Sequence, residues 1–122
     1  MENRQQAKQV VINYFADLEE AAPVDIATVL VRHVTDVYRI RAVHPFNVID
    51  SVVDVANYVW APLATSFTSL QRRQDIFMAG PNLIAGDMWV TSMGTFLGLF
   101  DKPWLGIRPT RKIALLPYCE FH

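Results

Sequence analysis

The spacing of apolar positions divides the chain into a helical first half and a stranded second half. In residues 3–20, Ala7, Val10, Val11, Tyr14, Phe15 and Leu18 recur at three- and four-residue steps, which is the stripe of an amphipathic helix. Ala22-Pro23 ends it. A second helix is predicted over about residues 24–34, with Ile26, Val29, Leu30 and Val34 inward and with Pro23 and Asp25 suiting its first turn. Residues 37–40 are β-branched and aromatic and read as a short strand. Asn47 is placed to cap a third helix that turns Ile49, Val52, Val53 and Ala56 inward and ends near Trp60, and a helical turn is predicted over residues 63–70.

Strands follow. One is predicted over residues 73–79, then a turn-rich link over 80–87, then a long strand over 88–100. Gly94 and Gly98 inside the long strand mark bulges or bends. A loop with Pro103 and Pro109 leads to a last strand over residues 112–122. Helices followed by an antiparallel meander predict the α+β class: a curved sheet over a helical layer, with a cavity between them. The last strand runs to His122 with no turn or closing element after it, so the expectation is a single domain over residues 1–122 that lacks its final strand.

Composition narrows the function. With 122 residues, 52% hydrophobic and 19% charged, the chain is one folded domain with apolar surface to spare for a ligand or a second copy. A formal net charge of −1 argues against nucleic acid as the partner. A single cysteine, Cys119, rules out an internal disulfide and fits a reducing, cytoplasmic setting. The polar first residues carry no signal-peptide pattern, and no apolar run reaches the ~20 residues of a membrane span. His33, His44 and His122 lack metal-ligand spacing, and neither a phosphate-binding glycine loop nor a G-x-S-x-G turn is present, so no metal or cofactor is expected.

The candidate chemistry lies on the strands. Arg73 and Asp75 are two apart and share a face; they are an acid/base with its partner if that face looks inward, and a surface ion pair if it looks out. Trp89 and Thr91 are expected on the same inner face, with Trp89 and Trp104 as walls for a flat ligand; the alternatives are core packing for Trp89 and a loop plug or dimer contact for Trp104. Tyr118, Glu120 and His122 alternate in phase with the apolar Leu116: they point inward, with Glu120 and His122 a coupled acid/base pair, or they form a polar outer face with Leu116 the odd one out. Trp60 is a further pocket wall. His44, held extended before Pro45, is a candidate base or a loop-capping histidine. Tyr14 sits on the apolar stripe, where a packing role is the ordinary one.

Residues 44–47 (HPFN), 62–80 (PLATSFTSLQRRQDIFMAG), 89–100 (WVTSMGTFLGLF), 104–110 (WLGIRPT) and 118–122 (YCEFH) resemble the SnoaL-like polyketide cyclase group of the nuclear transport factor 2-like (cystatin-like fold) superfamily. The resemblance implies a cone-shaped α+β barrel, a homodimer packed through the sheet, and a pocket under the helices. It implies cofactor-independent cyclase, isomerase or hydrolase chemistry on a small, often ring-shaped molecule. Similar isomerases place a base near His44 and an oxyanion-holding tyrosine near Tyr14. Two features depart from the group: the strand that carries its acidic residue is absent, and Arg111 stands where a glycine commonly follows Pro-Thr. The expected machinery is His44, Asp75, Glu120, His122 and Tyr14 for proton handling, with Arg73, Trp60, Trp89, Trp104 and Tyr118 around the ligand. The alternative is a non-catalytic ligand-binding or dimerisation module of the same fold.

Overall fold

The amphipathic stripe of the first twenty residues forms one helix, α1 (Glu2–Glu20), in the computed structural model, which describes residues 2–35 and 37–122. Val11, Tyr14 and Phe15 are its buried face, whereas Val10 stands 59% exposed. After a short 3-10 turn at Pro23–Asp25 comes α2 (Ile26–His33), which buries Ile26, Val29 and Leu30. The predicted strand over residues 37–40 shrinks to a two-residue strand, β1 (Ile40–Arg41), paired antiparallel with β2 (Val48–Ile49). Ser51, rather than Asn47, caps the next helix by accepting the Asp54 amide at 3.3 Å. Asn47 instead sits in the turn at φ 55°. The later start turns Val55 and Ala56 inward and leaves Val53 53% exposed.

That helix, α3 (Val52–Val55), widens into a π-helical segment at Ala56–Trp60 and continues as α4 (Ala61–Ser66). Single π turns of this kind mark functional sites more often than chance. The sheet is a meander of three strands, β3 (Phe67–Pro81), β4 (Met88–Phe100) and β5 (Ile113–Phe121), in the order β3-β4-β5. Asn82 closes the β3–β4 turn through its side-chain oxygen, which accepts from the Ile84 amide at 2.9 Å.

The class is α+β, with the helices packed on one face of an antiparallel sheet. One cluster joins Val11, Tyr14, Phe15, Ile26, Leu30, Val55 and Ala56 to Val90 of β4. A second joins Leu63, Phe67 and Phe100, and Trp60 packs against both. Among the described residues, no helix is long and apolar enough to cross a membrane.

Candidate functional site

The two glycines of β4 decide which side chains enter the site. A Cβ on Gly94 would stand 2.0 Å from the Arg73 carbonyl oxygen, so no residue with a side chain fits there. A Cβ on Gly98 would stand 3.2 Å from the Phe67 Cβ and 3.3 Å from Leu70 and Thr68 backbone atoms, a tighter fit than usual but one that a small shift could relieve. Opposite these close approaches the β3–β4 register slips twice, between Thr68 and Gln71 and between Gln74 and Ile76. A slip of one residue reverses the face each later side chain takes. Before the second slip Leu70 and Arg72 look toward the helices; after it Phe77 and Ala79 do.

This overturns the expected inner pair. Asp75 occupies the slip itself and is exposed, and Arg73 is exposed on the opposite face, across from Thr95. Trp89 and Thr91 share that outer face, where Trp89 is 42% exposed. His44 is exposed in the β1–β2 turn, away from the inner face. Trp104 is a plug: it packs edge-on against Phe67 at 5.5 Å in the second cluster. Tyr14, Trp60, Tyr118, Glu120 and His122 do gather on the inner side.

The residue they gather around is Arg72, which the sequence reading passed over. Its side chain is only 7% exposed, and Nη1 stands 3.1 Å from Glu120 Oε1, close enough for an ion pair but not aligned as a hydrogen bond. The register puts Gly94 between the two, so no side chain separates them. The guanidinium lies 3.6 Å from the Phe15 ring centre, 4.6 Å from Phe96 and 4.7 Å from Tyr118. Cation–π contact of this kind stabilises a desolvated arginine. Glu120 Oε2 lies 2.9 Å from His122 Nε2, and the His122 ring meets Phe15 at 5.3 Å and Tyr14 at 5.9 Å edge-on.

Compared with models of known protein families, with characterised proteins and with solved structures, the chain finds no match.

Electrostatics assigns different protonation to the acidic groups. Burial alone would raise the Glu120 carboxyl; the hydrogen bond from His122 and the charges of Arg72 and His122 outweigh it and hold the carboxyl below its ordinary value. Glu120 is therefore ionised near neutral pH. Burial pushes the Tyr14 hydroxyl far above its ordinary range, with Tyr38 and Glu120 adding in the same direction, so it stays a hydrogen-bond donor. Burial and then Glu120 raise Tyr38 as well. A hydroxyl has one proton to give, so Ser92, fully buried, donates to Gln74 Oε1 at 2.8 Å and accepts from the Tyr118 hydroxyl at 2.9 Å. Behind Tyr14, His33 Nε2 lies 2.7 Å from Asp17 Oδ2.

Beside this array lies a cavity of about 230 Å³ between α1, α4 and β3, walled by Phe15, Ile26, Trp60, Phe67, Arg72 and Phe96. Among the described residues no group of histidine, cysteine and carboxylate side chains is arranged to hold a metal ion. Phe15, Arg72, Gln74, Ser92 and Phe96 were not singled out from the sequence. The signal for Arg72 was available in Gly94 and Gly98, since two glycines facing β3 call for two slips in it.

Proposed function

We propose that this chain is a small-molecule pocket protein resembling the SnoaL-like group, and that it acts as a cofactor-independent cyclase, isomerase or hydrolase by proton transfer on a small apolar carbonyl or hydroxyl compound. One observation carries the reading: Arg72, deeply buried and paired with a Glu120 that His122 bonds in turn, lines a largely apolar cavity, and Tyr14 packs against the histidine. Charges are costly in such a place unless something uses them. The helices on the inner face of the sheet fit the cone-shaped barrel that the resemblance implies.

In this reading His122 moves the proton. Glu120, ionised and bonded to Nε2, orients the ring and leaves Nδ1 as the base; it is a positioning carboxylate rather than a general acid. Tyr14 donates to negative charge developing on the substrate oxygen. Trp60 and Tyr118 shape the apolar surroundings. Native mass spectrometry of the freshly purified protein identifies a retained compound, and chromatography of that compound incubated with the protein detects its product. His122→Ala is expected to slow conversion by about 10²-fold or more. Conversion that persists unchanged removes the assignment to His122, and binding without conversion leaves the non-catalytic module.

A second copy of the chain is the proposed partner. The outer face of the sheet carries Ile76, Met78, Trp89, Met93, Ile113, Leu115 and Phe121, each 39–69% exposed. The strand pairs Ile76–Met93, Leu97–Leu115 and Leu99–Ile113 lie along it, with Arg73 and Thr95 between the first pair and the other two. Such a face suits the self-complementary patch of a two-fold dimer.

A further inference from the structure

We propose that the cavity between α1, α4 and β3 takes a small apolar monocarboxylate, whose carboxylate is bound by the Nη2 edge of Arg72. This names the ligand class of the pocket proposed above and rests on that reading. The cavity, at about 230 Å³, is below the roughly 300–1,000 Å³ of sites for drug-sized ligands, and its wall is made of rings and aliphatic groups. Arg72 is the one charged wall residue that is deeply buried, at 7% side-chain exposure.

Its charge is only partly compensated. Glu120 offers Oε1 to Nη1 but commits Oε2 to His122. Nη2 has no acceptor among the described residues. The guanidinium carbon lies 3.6 Å from the Phe15 ring centre, a cation–π contact, whereas guanidinium N–H groups bond acceptors in their own plane. A carboxylate is the acceptor whose two oxygens match that edge; a carbonyl would leave the charge uncompensated. Glu19, exposed, stands at the cavity rim and disfavours a second carboxylate there. The surrounding rings cover both terminal nitrogens, so the proposal requires the guanidinium to turn toward the cavity when the ligand binds.

Calorimetric titration tests this with benzoate and cyclohexanecarboxylate against benzamide and cyclohexanecarboxamide. Each acid is expected to bind about tenfold or more tightly than its amide. Arg72→Gln should bring acid and amide to parity, and Ala64→Leu, which fills the cavity from α4, should weaken both. Because Arg72→Gln leaves Glu120 with His122 alone, Arg72→Gln/Glu120→Gln is measured beside it, where no buried charge is stranded. Amides binding as well as acids to the unmodified protein overturn the anion preference and leave the pocket standing. No binding by any probe, or binding that Ala64→Leu does not alter, overturns the pocket reading as well.

Discussion

The two faces of the same three strands differ in kind: on the inner one a polar group sits within an apolar core, and the outer one holds exposed apolar side chains. The face against the helices packs Phe77, Val90, Phe96 and Leu116, and among them holds the Arg72–Glu120 ion pair and a Gln74–Ser92–Tyr118 hydrogen-bond chain. The face away from them holds Ile76, Met78, Trp89, Ile113, Leu115 and Phe121, apolar and open. An antiparallel sheet normally puts its apolar side chains inward and its polar ones in water. A charged pair inside and an apolar surface outside both depart from that rule, and the proposed ligand and the proposed second copy would account for them.

Neighbouring arginines give the sharpest contrast. Truncating Arg72 to alanine strands a buried carboxylate and is expected to cost about 3–5 kcal/mol in urea unfolding. Arg73→Ala, one residue along on the outer face, should stay within about 0.5 kcal/mol. Equal costs would show that the inner pair is solvated and would dissolve the distinction between the faces. Removing both charges as Arg72→Met/Glu120→Gln should recover most of the loss, since no unpaired ion remains.

Gly94→Ala tests the device that sorts the residues onto their faces. With the new Cβ 2.0 Å from a backbone oxygen, strand β3 must shift, at a cost of about 3 kcal/mol. The tryptophan fluorescence of Trp60 should change with it as Arg72 leaves its cage. A variant of unaltered stability and spectrum would mean that the slip does not depend on this glycine.

On the outer face, Leu115→Asp should convert a dimer to a monomer in sedimentation at micromolar concentration while leaving ligand binding unchanged. A single mass for both proteins would leave the apolar face without its proposed partner.

The smallest effect is a pH dependence confined to the inner face. The Glu120 carboxyl is lowered in the folded chain from an ordinary value of 4.5. Its contribution is therefore complete above about that value and is lost as pH falls through the lower folded value. Acid unfolding curves of Glu120→Gln should be flatter than those of the unmodified protein in that window. Parallel curves would place the acid sensitivity elsewhere.

Much of this architecture was legible along the chain. Residues 88–100 were read as a strand to the residue, because alternation and turn residues are local signals. The helical stripe through Val11, Tyr14 and Phe15 and the inward phase of Tyr118, Glu120 and His122 were legible for the same reason. His44 misled because a residue fixed before proline says nothing of which way the turn faces. Arg73 and Asp75 misled because phase was counted from inside a strand that begins six residues earlier and slips twice.

The local pattern of side chains determined the α+β class, the order of helices and strands and the gathering of Glu120 with His122. It also supplied the two glycines. Only the pairing of β3 with β4 decided that Arg72 rather than Arg73 enters the interior. That choice depends on contact between Gly94 and Arg73, far apart along the chain, where the missing side chain of Gly94 lets one backbone press against another and reverse the alternation.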